Sequence, residues 1–410
     1  MNRLFVVFAL ILLISACRSG ESGSIYVDSE RGNDSNPGSS FKPIRTIEEL
    51  NSRLRTNPSN IYFSGKQSFK GTIEIENIRG TADSPIIINS RGNSRAVIDG
   101  GNSAGINIKN CSNLIITDLR LKGSGRKTGN TTNGLSLVNS ENVRISNIRS
   151  EGFRKSGVEL FNCRNIELRS IKAYSNGFSG INVKGTSRDS SRNIVIKDCT
   201  AENNAGDPTM LDNHSGNGIL VGVSDSVVIE RCIATKNGWD MPRTGNGPVG
   251  IWAWESSNVR ISYCVSYRNR TSKNAKDGGG FDLDGGVSNS MVSYCLSFGN
   301  EGAGFGLFQY NGASQWKDNI ISNNISFNDA TVTEGAGSIF IWNGSGDSSQ
   351  LSGCTITRNL IVNFSAPIIS FEPDSKHQNF EFTRNMFIGR DTVSGKNTGS
   401  IFKKNIWLRF

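Results

Sequence analysis

Two aspartates two residues apart carry the clearest chemical signal in the sequence. Asp282 and Asp284 stand in the glycine-rich stretch DGGGFDLDGG, which begins at Asp277. Alternate residues of a strand share a face, so the Cβ atoms of the pair would lie about 6 to 7 Å apart. At that spacing one carboxyl group can hold a proton while the other stays ionised, as glycoside cleavage requires. We therefore expect Asp282 and Asp284 to be catalytic, with Asp277 assisting.

Two other interpretations of these aspartates stay open. Ca²⁺ binds several carboxylate oxygens at once, so Asp277, Asp282 and Asp284 could instead be ligands of a calcium ion. Calcium is the one cofactor that the sequence suggests. Alternatively, the aspartates are solvated groups on an outer strand.

Three residues in other segments could assist the chemistry. His214 is one of only two histidines in the chain and is a candidate acid, base or substrate contact. Arg243 and Lys276 could bind the carboxylate of a uronate, or one of them could be the base of a β-elimination. Isolated loop residues of these types are also common on solvated surfaces.

Aromatic and polar residues recur near these groups and predict a surface that binds sugar rings. A row of exposed aromatic side chains is unfavourable unless a ligand stacks on it. The remaining candidates for substrate binding are Trp252, Trp254, Glu255, Phe308, Gln309, Tyr310 and Trp342.

A short strand that recurs along the chain would position these residues. Its pattern is Gly-apolar-x-apolar-x, and it is usually followed by a second short strand. Apolar alternation indicates strands, and recurrence at intervals of roughly 20 to 40 residues indicates a solenoid. The x positions, which include Trp252, Trp254, Asp282, Asp284 and Phe308, should face solvent. The pattern begins at Gly134, Gly157, Gly180, Gly218, Gly250, Gly280 and Gly304.

Two columns of like residues set the register of this repeat. Cysteine stands where earlier coils have isoleucine, which favours buried free thiols over disulfides or a metal site. Stacked asparagine amides can bond to the backbone of their own and the adjacent coil. The columns are Cys199, Cys232, Cys264 and Cys295, and Asn176, Asn204, Asn237, Asn269 and Asn300.

This pattern, from about residue 25 to the C-terminus, resembles right-handed parallel β-helix proteins of the pectate-lyase type. The resemblance implies an all-β, single-stranded right-handed parallel β-helix with catalytic groups on the outer face of the first strands. The segment 26–54 resembles the N-terminal entry of such proteins, with one strand, a loop and a capping helix; Thr46 and Glu49 fit a capping box. The stretch GFDLD resembles mannuronan epimerases, which carry histidine at the position of Asp284, so the reaction stays open.

Long connections in consecutive coils predict where a ligand binds. The segments 204–218, 237–250 and 269–280 each link an asparagine of the column to the next strand. Because they occupy the same corner of the coil, we expect them to stack into one wall, which a loop between Asn328 and Ser338 extends. Long loops on one face of a repeat scaffold are typical of a binding face.

The N-terminus predicts export. Residues 1–16 have the organisation of a signal peptide, and the ISAC ending resembles a bacterial lipoprotein signal. The resemblance implies that Cys17 is lipidated and that the protein is anchored to a membrane of the cell envelope. The composition of the segment 17–24 predicts a flexible tether, and 25–410 is expected to form one β-helix domain. An ordinary secretory signal is the alternative.

The net charge of +9 suits an acidic polysaccharide or an anionic lipid surface. No recognition helix or RNA-binding signature is present, so nucleic acid is not an expected partner. We expect an exported protein that binds and cleaves a polysaccharide. The alternatives are a Ca²⁺-dependent polysaccharide lyase and a non-catalytic glycan-binding protein or adhesin.

Overall fold

The computed structural model describes residues 23–55, 59–273, 275–372 and 376–410. The chain winds into successive coils, and a typical coil contributes one short strand to each of three parallel sheets, called sheets 1, 2 and 3 in chain order. The predicted all-β parallel β-helix is confirmed. The segments 1–16 and Cys17 lie outside the described residues.

Sheet 1 contains the predicted Gly-apolar-x-apolar-x strands, sheet 2 the predicted second strands, and sheet 3 a third set of mostly three-residue strands that the sequence pattern did not predict. The strands of sheet 1 are Ile73–Glu76, Ile106–Lys109, Leu135–Val138, Ser156–Phe161, Ser179–Lys184, Asn217–Gly222, Val249–Trp254, Gly279–Leu283, Phe305–Gln309, Ile339–Asn343, Ile369–Phe371 and Val393–Ser394. Those of sheet 2 are Ser24–Val27, Asn60–Ser64, Ile86–Arg91, Ser112–Thr117, Glu141–Ser146, Arg164–Arg169, Arg192–Lys197, Asp225–Glu230, Ser257–Ser262, Met291–Ser293, Trp316–Ser322, Leu351–Thr357, Gln378–Thr383 and Ser400–Lys403. Those of sheet 3 are Ser68–Lys70, Ala96–Gly101, Leu119–Gly123, Arg149–Glu151, Lys172–Tyr174, Thr200–Glu202, Ile233–Thr235, Val265–Tyr267, Leu296–Phe298, Ile325–Phe327, Leu360–Asn363, Met386–Gly389 and Ile406–Arg409.

A helix near the N-terminus packs on the first coils. It spans Ile47–Leu54, and the Thr46 hydroxyl accepts a hydrogen bond from the Glu49 N–H at 3.2 Å, which is half of the predicted capping box. Its apolar face, Ile47, Leu50 and Leu54, is buried. Two short 3₁₀ turns are Arg188–Ser190 and Ser348–Gln350. In the part of the chain that the structure describes, no helix has the length and apolar run needed to cross a bilayer.

The predicted asparagine column runs through the interior of the coils. The Asn237 Oδ1 accepts from both the backbone N–H and the side-chain amide of Asn204, at 3.0 and 2.9 Å. The same pair of bonds links Asn269 to Asn300 at 2.9 and 3.0 Å. The column continues into Asp329, whose Oδ1 accepts both bonds from Asn300. Each coil is therefore tied to the next at a buried corner.

The cysteine column consists of buried free thiols, as predicted. All seven cysteines within the described residues are free and buried, and none forms a disulfide. Burial raises the pKa of the Cys163 thiol to about 11. These thiols pack as small hydrophobic groups in the core.

Candidate functional site

The outer face of sheet 1 forms the floor of a groove of about 1720 Å³. Its sides come from the three long connections that the sequence predicts and from the following loop. The lining residues of these segments are 212–214, 239, 243, 245–247, 270–273, 275–277 and 332–335. The loops stack because each leaves the coil at the same corner. The groove is several times larger than a second concave surface on the coils, of about 340 Å³, which Arg79, Asn139 and Arg164 help to line.

Two outward columns of sheet 1 supply the floor. In the first, Trp252 pairs with Asp282, Asp282 with Gly306, and Gly306 with Phe340 on successive strands. In the second, Phe308 pairs with Trp342, and Trp254 lies on an earlier coil, opposite Gly222. Asp284 immediately follows its strand, and its N–H donates to the Ala253 carbonyl at 2.8 Å.

The expectation that the outward residues are solvent-exposed is wrong for Trp252 and Asp282. Each is only 4 % exposed. Both point away from the main core, but the loops cover them. Trp252 packs with Leu220 and Val249 in a second, smaller apolar cluster outside the coil. This covering is what makes the floor a desolvated environment for charge.

Asp282 is the most desolvated carboxyl group of the groove. Its Oδ1 is buried and has no hydrogen-bond partner among the described residues. Burial, together with the charges of Asp284 and Asp277, raises its pKa well above the ordinary value. Directly opposite, a Cβ on Gly306 would lie 3.0 Å from that oxygen and 2.8 Å from the Phe308 ring, so glycine leaves room for both side chains. Asp282 is therefore suited to hold a proton at neutral pH.

The two other aspartates accept backbone hydrogen bonds. The Asp284 carboxylate accepts from the Gly285 N–H at 2.7 Å, and that of Asp277 from the Gly247 N–H at 2.7 Å. Burial raises the pKa of both, to about 6 for Asp277, while the charges of Asp277 and Glu255 also raise that of Asp284. These bonds favour the ionised form, so Asp284 is the better candidate for a base or nucleophile and Asp282 for the acid.

His214 lines the groove and is buried. Its ring packs edge-on against Trp252 with the centroids 4.9 Å apart, and its Nδ1 lies 3.0 Å from the Asn217 amide nitrogen. Burial, with the nearby cations Arg243 and Lys184, lowers its pKa to about 4. At neutral pH the imidazole is therefore uncharged.

Two cations of the groove are available to a ligand. Arg243 and Lys276 line it, and neither forms an ion pair with any described residue. Their charges act on Asp277, whose pKa they lower against the effect of burial. Arg270, by contrast, is paired with Glu301 at 2.9 Å.

Of the predicted substrate contacts, Trp252, Trp254, Phe308, Tyr310 and Trp342 line the groove. Burial and the carboxylates of Glu255 and Asp284 raise the pKa of Tyr310.

Glu255 and Gln309 lie behind the groove and form hydrogen bonds or an ion pair with other residues of the protein. Gln309 is fully buried and bonds the Gly286 N–H at 3.0 Å and the Ser314 carbonyl at 2.9 Å. Glu255 is held by Arg188 at 3.3 Å and by the Ser314 N–H at 2.7 Å. Both therefore shape the end of the groove.

The residues do not fit the calcium interpretation. Among the described ranges, no group of three or more His, Cys, Asp or Glu side chains is arranged to hold a metal ion. The charges of Asp284 and Asp277 raise the pKa of Asp282, and the charge of Asp277 raises that of Asp284.

Sequence reasoning missed two residues of the site. Asn217 is buried beneath the groove and bonds both His214 and Trp252, and Phe340 lies beside Phe308 on the floor. Asn217 gave no distinct signal in the sequence, because the position just before the repeat glycine holds Asn133, Ser156 and Ser179 in the three preceding coils. An amide there is not unusual in this repeat.

The coil, its three parallel sheets and the groove along one of them define a parallel β-helix protein. Residues 25–336 match the family described as Pel9A-like, right handed beta helix region. The chain belongs to this family, and the right-handed β-helix prediction is confirmed.

Solved structures of low sequence identity share the fold. The GH136 lacto-N-biosidase from Eubacterium ramulus matches with a TM-score of 0.62 and 14 % identity, over 95 % of this chain and 68 % of that one. The mannuronan C-5 epimerase AlgE6 A-module from Azotobacter vinelandii gives 0.63 and 13 %, over 88 % and 94 %. Pectate lyase Pel9A gives 0.52 and 16 %, over 93 % and 79 %. No curated protein sequence matches the chain.

Proposed function

We propose that the protein cleaves glycosidic bonds of a polysaccharide, with Asp282 and Asp284 as the catalytic pair. The observation that carries the proposal is the pairing of two carboxyl groups with raised pKa values on one side of a strand, at the floor of a long groove. Such a pair supplies both a proton donor and an ionised group at neutral pH.

The roles follow from the surroundings of each group. Asp282 donates its proton to the leaving glycosidic oxygen, because its desolvated carboxyl group keeps that proton. Asp284 either removes a proton from the attacking water or attacks the anomeric carbon itself. Each cleavage consumes one water molecule, and each chain break exposes one new reducing end.

The groove supports a polymer that carries acidic groups. Trp254, Phe308, Tyr310 and Trp342 offer ring faces or edges for sugar stacking. The unpaired Arg243 and Lys276 offer cations for a carboxylate of the polymer. The named activities of the three structural neighbours concern sugar polymers or oligosaccharides, which supports this substrate class.

The proposal includes an exported protein that is tethered to a membrane of the cell envelope. The apolar run of residues 4–14 and the ISAC ending at Cys17 support a lipoprotein signal. Incorporation of labelled palmitate into the wild-type protein, lost in Cys17→Ser, tests the anchor. Retention of the label in Cys17→Ser would contradict it.

A second candidate is elimination from a uronate polymer. The unpaired state of Arg243 and Lys276 beside Asp277 favours it, since one of them could remove the proton at C5. Elimination leaves an unsaturated sugar that absorbs in the near ultraviolet, whereas hydrolysis does not.

The deciding experiment incubates the mature protein with neutral and uronate polysaccharides, with Ca²⁺ and with EDTA, and reads reducing ends and near-ultraviolet absorbance together. Asp282→Asn and Asp284→Asn are the test variants. Asp83→Asn, on an exposed turn outside the groove, is the matched control. Reducing ends without absorbance, lost only in the test variants, would support hydrolysis.

Both signals together would favour elimination. Glycan binding without any cleavage, unchanged in Asp282→Asn, would overturn the catalytic proposal in favour of a binding protein or adhesin.

A further inference from the structure

Asn217 joins the floor of the groove to the ring of His214. It is fully buried at the start of its sheet-1 strand. Its side chain lies within hydrogen-bond distance of four groups, which are the Trp252 indole, the Val249 N–H, the Phe178 carbonyl and the His214 ring. It therefore connects two predicted site residues, Trp252 and His214.

The partners determine which way the amide faces. The Oδ1 accepts from the Trp252 Nε1–H at 3.1 Å and from the Val249 N–H at 3.4 Å, and these two groups can only donate. The Nδ2 lies 3.2 Å from the Phe178 carbonyl, which can only accept. A flipped amide would reverse all three interactions, so the amide orientation is fixed.

The amide orientation in turn fixes the histidine. Because Nδ2 donates, the His214 Nδ1 at 3.0 Å must accept. The proton of the neutral ring is then on Nε2. A second proton on Nδ1 would point at an N–H of the amide. The charged groups that act on the ring, Arg243 and Lys184, are both cations and oppose that proton as well.

The remaining ring nitrogen is available to a ligand. His214 lines the groove, and its Nε2 has no hydrogen-bond partner among the described residues. The ring is held between Phe178 and Trp252, at centroid distances of 5.8 and 4.9 Å. Ring packing and the Asn217 bond together leave the Nε2–H as a donor of fixed position.

We propose that Asn217 is a positioning residue that holds His214 as a neutral imidazole, and that the His214 Nε2–H donates a hydrogen bond to an oxygen of the bound sugar. The part that concerns the sugar rests on the proposed function. His214 then recognises a substrate oxygen and transfers no proton during turnover. This assigns acid and base chemistry to the aspartates alone.

The first test is independent of any activity. Long-range ¹H–¹⁵N spectra of the imidazoles report tautomer and titration, and the chain has only two histidines, so His214→Gln assigns the signals. In the wild type we expect the Nε2–H tautomer and no titration between pH 5 and 8, on the order of two units below an ordinary histidine. A His214 that carries its proton on Nδ1, or that titrates near pH 6.5, would overturn the proposal.

Asn217→Ser removes the amide and keeps a residue type that the same position holds in the two preceding coils, Ser156 and Ser179. We expect His214 to become a mixture of tautomers and its titration to move up by about one unit or more. Asn182→Ser changes a buried asparagine of the preceding sheet-1 strand that bonds Glu159 and not His214, so it is the matched control and should leave the ring unchanged. An unchanged His214 in Asn217→Ser would contradict the positioning role.

The second test uses turnover once cleavage is measured. His214→Ala should lower kcat/KM by about 10²-fold, while His214→Gln, whose amide can also donate, should recover much of it. The acid and base limbs of the pH profile should stay in place in both variants. A lost limb would make His214 a proton-transfer group and overturn the proposal. If no polysaccharide is cleaved, the proposed function fails while the spectra still decide the tautomer.

Discussion

Two columns of buried side chains run through the same coils, one inside and one on the outer face of sheet 1. Inside, asparagines repeat, and each amide bonds to the next coil, as Asn204 does to Asn237 at 2.9 Å. Outside, Trp252, Asp282, Gly306 and Phe340 follow one another without repetition, and the Asp282 Oδ1 has no partner among the described residues.

Burial alone therefore does not separate structure from function in this molecule. The polar side chains of the inner column form hydrogen bonds with neighbouring coils, whereas the outer column leaves the Asp282 Oδ1 without a partner among the described residues, at the floor of the groove. Repetition with complete hydrogen bonding stabilises the solenoid. A column whose residues change from coil to coil, and which contains a polar atom without a hydrogen-bond partner, indicates the candidate site.

The largest expected effect concerns the outer column. Asp282→Asn should lower kcat/KM by about 10²–10⁴-fold, because the amide cannot donate the proton that the leaving group needs. The free energy of unfolding should change little, because the protonated carboxyl group of Asp282 and the amide that replaces it are both uncharged at neutral pH and similar in size. Initial rates from reducing ends, with urea unfolding of the same samples, measure both. A loss of less than tenfold would remove Asp282 from the chemistry.

The inner column should respond in the opposite way. Asn237→Ala leaves the Asn204 N–H and amide and the Ala201 carbonyl without their partners, so we expect a loss of about 3 kcal/mol in the free energy of unfolding. Asn107→Ala, an asparagine on the outer face, should change it by less than about 0.5 kcal/mol. Urea denaturation compares the two. Equal effects would mean that the column is not a stabilising element.

The titratable carboxyl group of Asp329 makes the contribution of the inner column to stability depend on pH. Burial raises its pKa to about 6, so the folded state keeps a proton that the unfolded state has already lost, and stability falls as the pH rises from about 4 through 6. Asp329→Asn continues the column and can donate to the Ser326 hydroxyl, as Asn300 does to Ser297 at 3.0 Å. We expect it to be more stable than the wild type by about 3 kcal/mol at pH 8 and equal to it near pH 4.

Thermal and urea unfolding across that pH range test the prediction. A variant that is equally stable at every pH would show that the Asp329 carboxyl titrates normally.

The smallest effect concerns the residue behind the groove. Glu255→Gln removes a negative charge that raises the pKa of Asp284, so the acid limb of kcat/KM should move to lower pH by less than about one unit. Glu334→Gln, another carboxylate of the groove, is the control. A shift to higher pH in Glu255→Gln would contradict the assignment of Asp284 as the ionised partner.

The regular part of the fold was predictable because each coil repeats the same alternation of apolar residues and the same buried columns. The strand predicted from Gly180 to Lys184 is found at Ser179–Lys184, and the asparagine and cysteine columns are as expected. The third strands, such as Thr200–Glu202, were missed because three residues are too few to show alternation. Asp329 was missed because a carboxylate replaced the repeated amide.

The sequence predicted which residues form the candidate site better than it predicted how they are placed there. Loop spacing indicated which residues meet, and Arg243, Lys276 and His214 do line one groove. Trp252 is buried, and Gln309 forms a hydrogen bond with Gly286 inside the protein. Both features depend on loop conformations that are found in one coil only. No repetition exists there from which a pattern could be inferred.

The strand register of sheet 1 continues unchanged across the long connections. Asn182 still pairs with Leu220, Leu220 with Trp252, and Trp252 with Asp282, although the intervening loops differ in length and sequence. Connections of different length are therefore compatible with one and the same strand register. Evolution can exchange one connection at a time and so change what the groove binds. For the same reason, protein engineering can graft loops between relatives while the strands of the coil are kept.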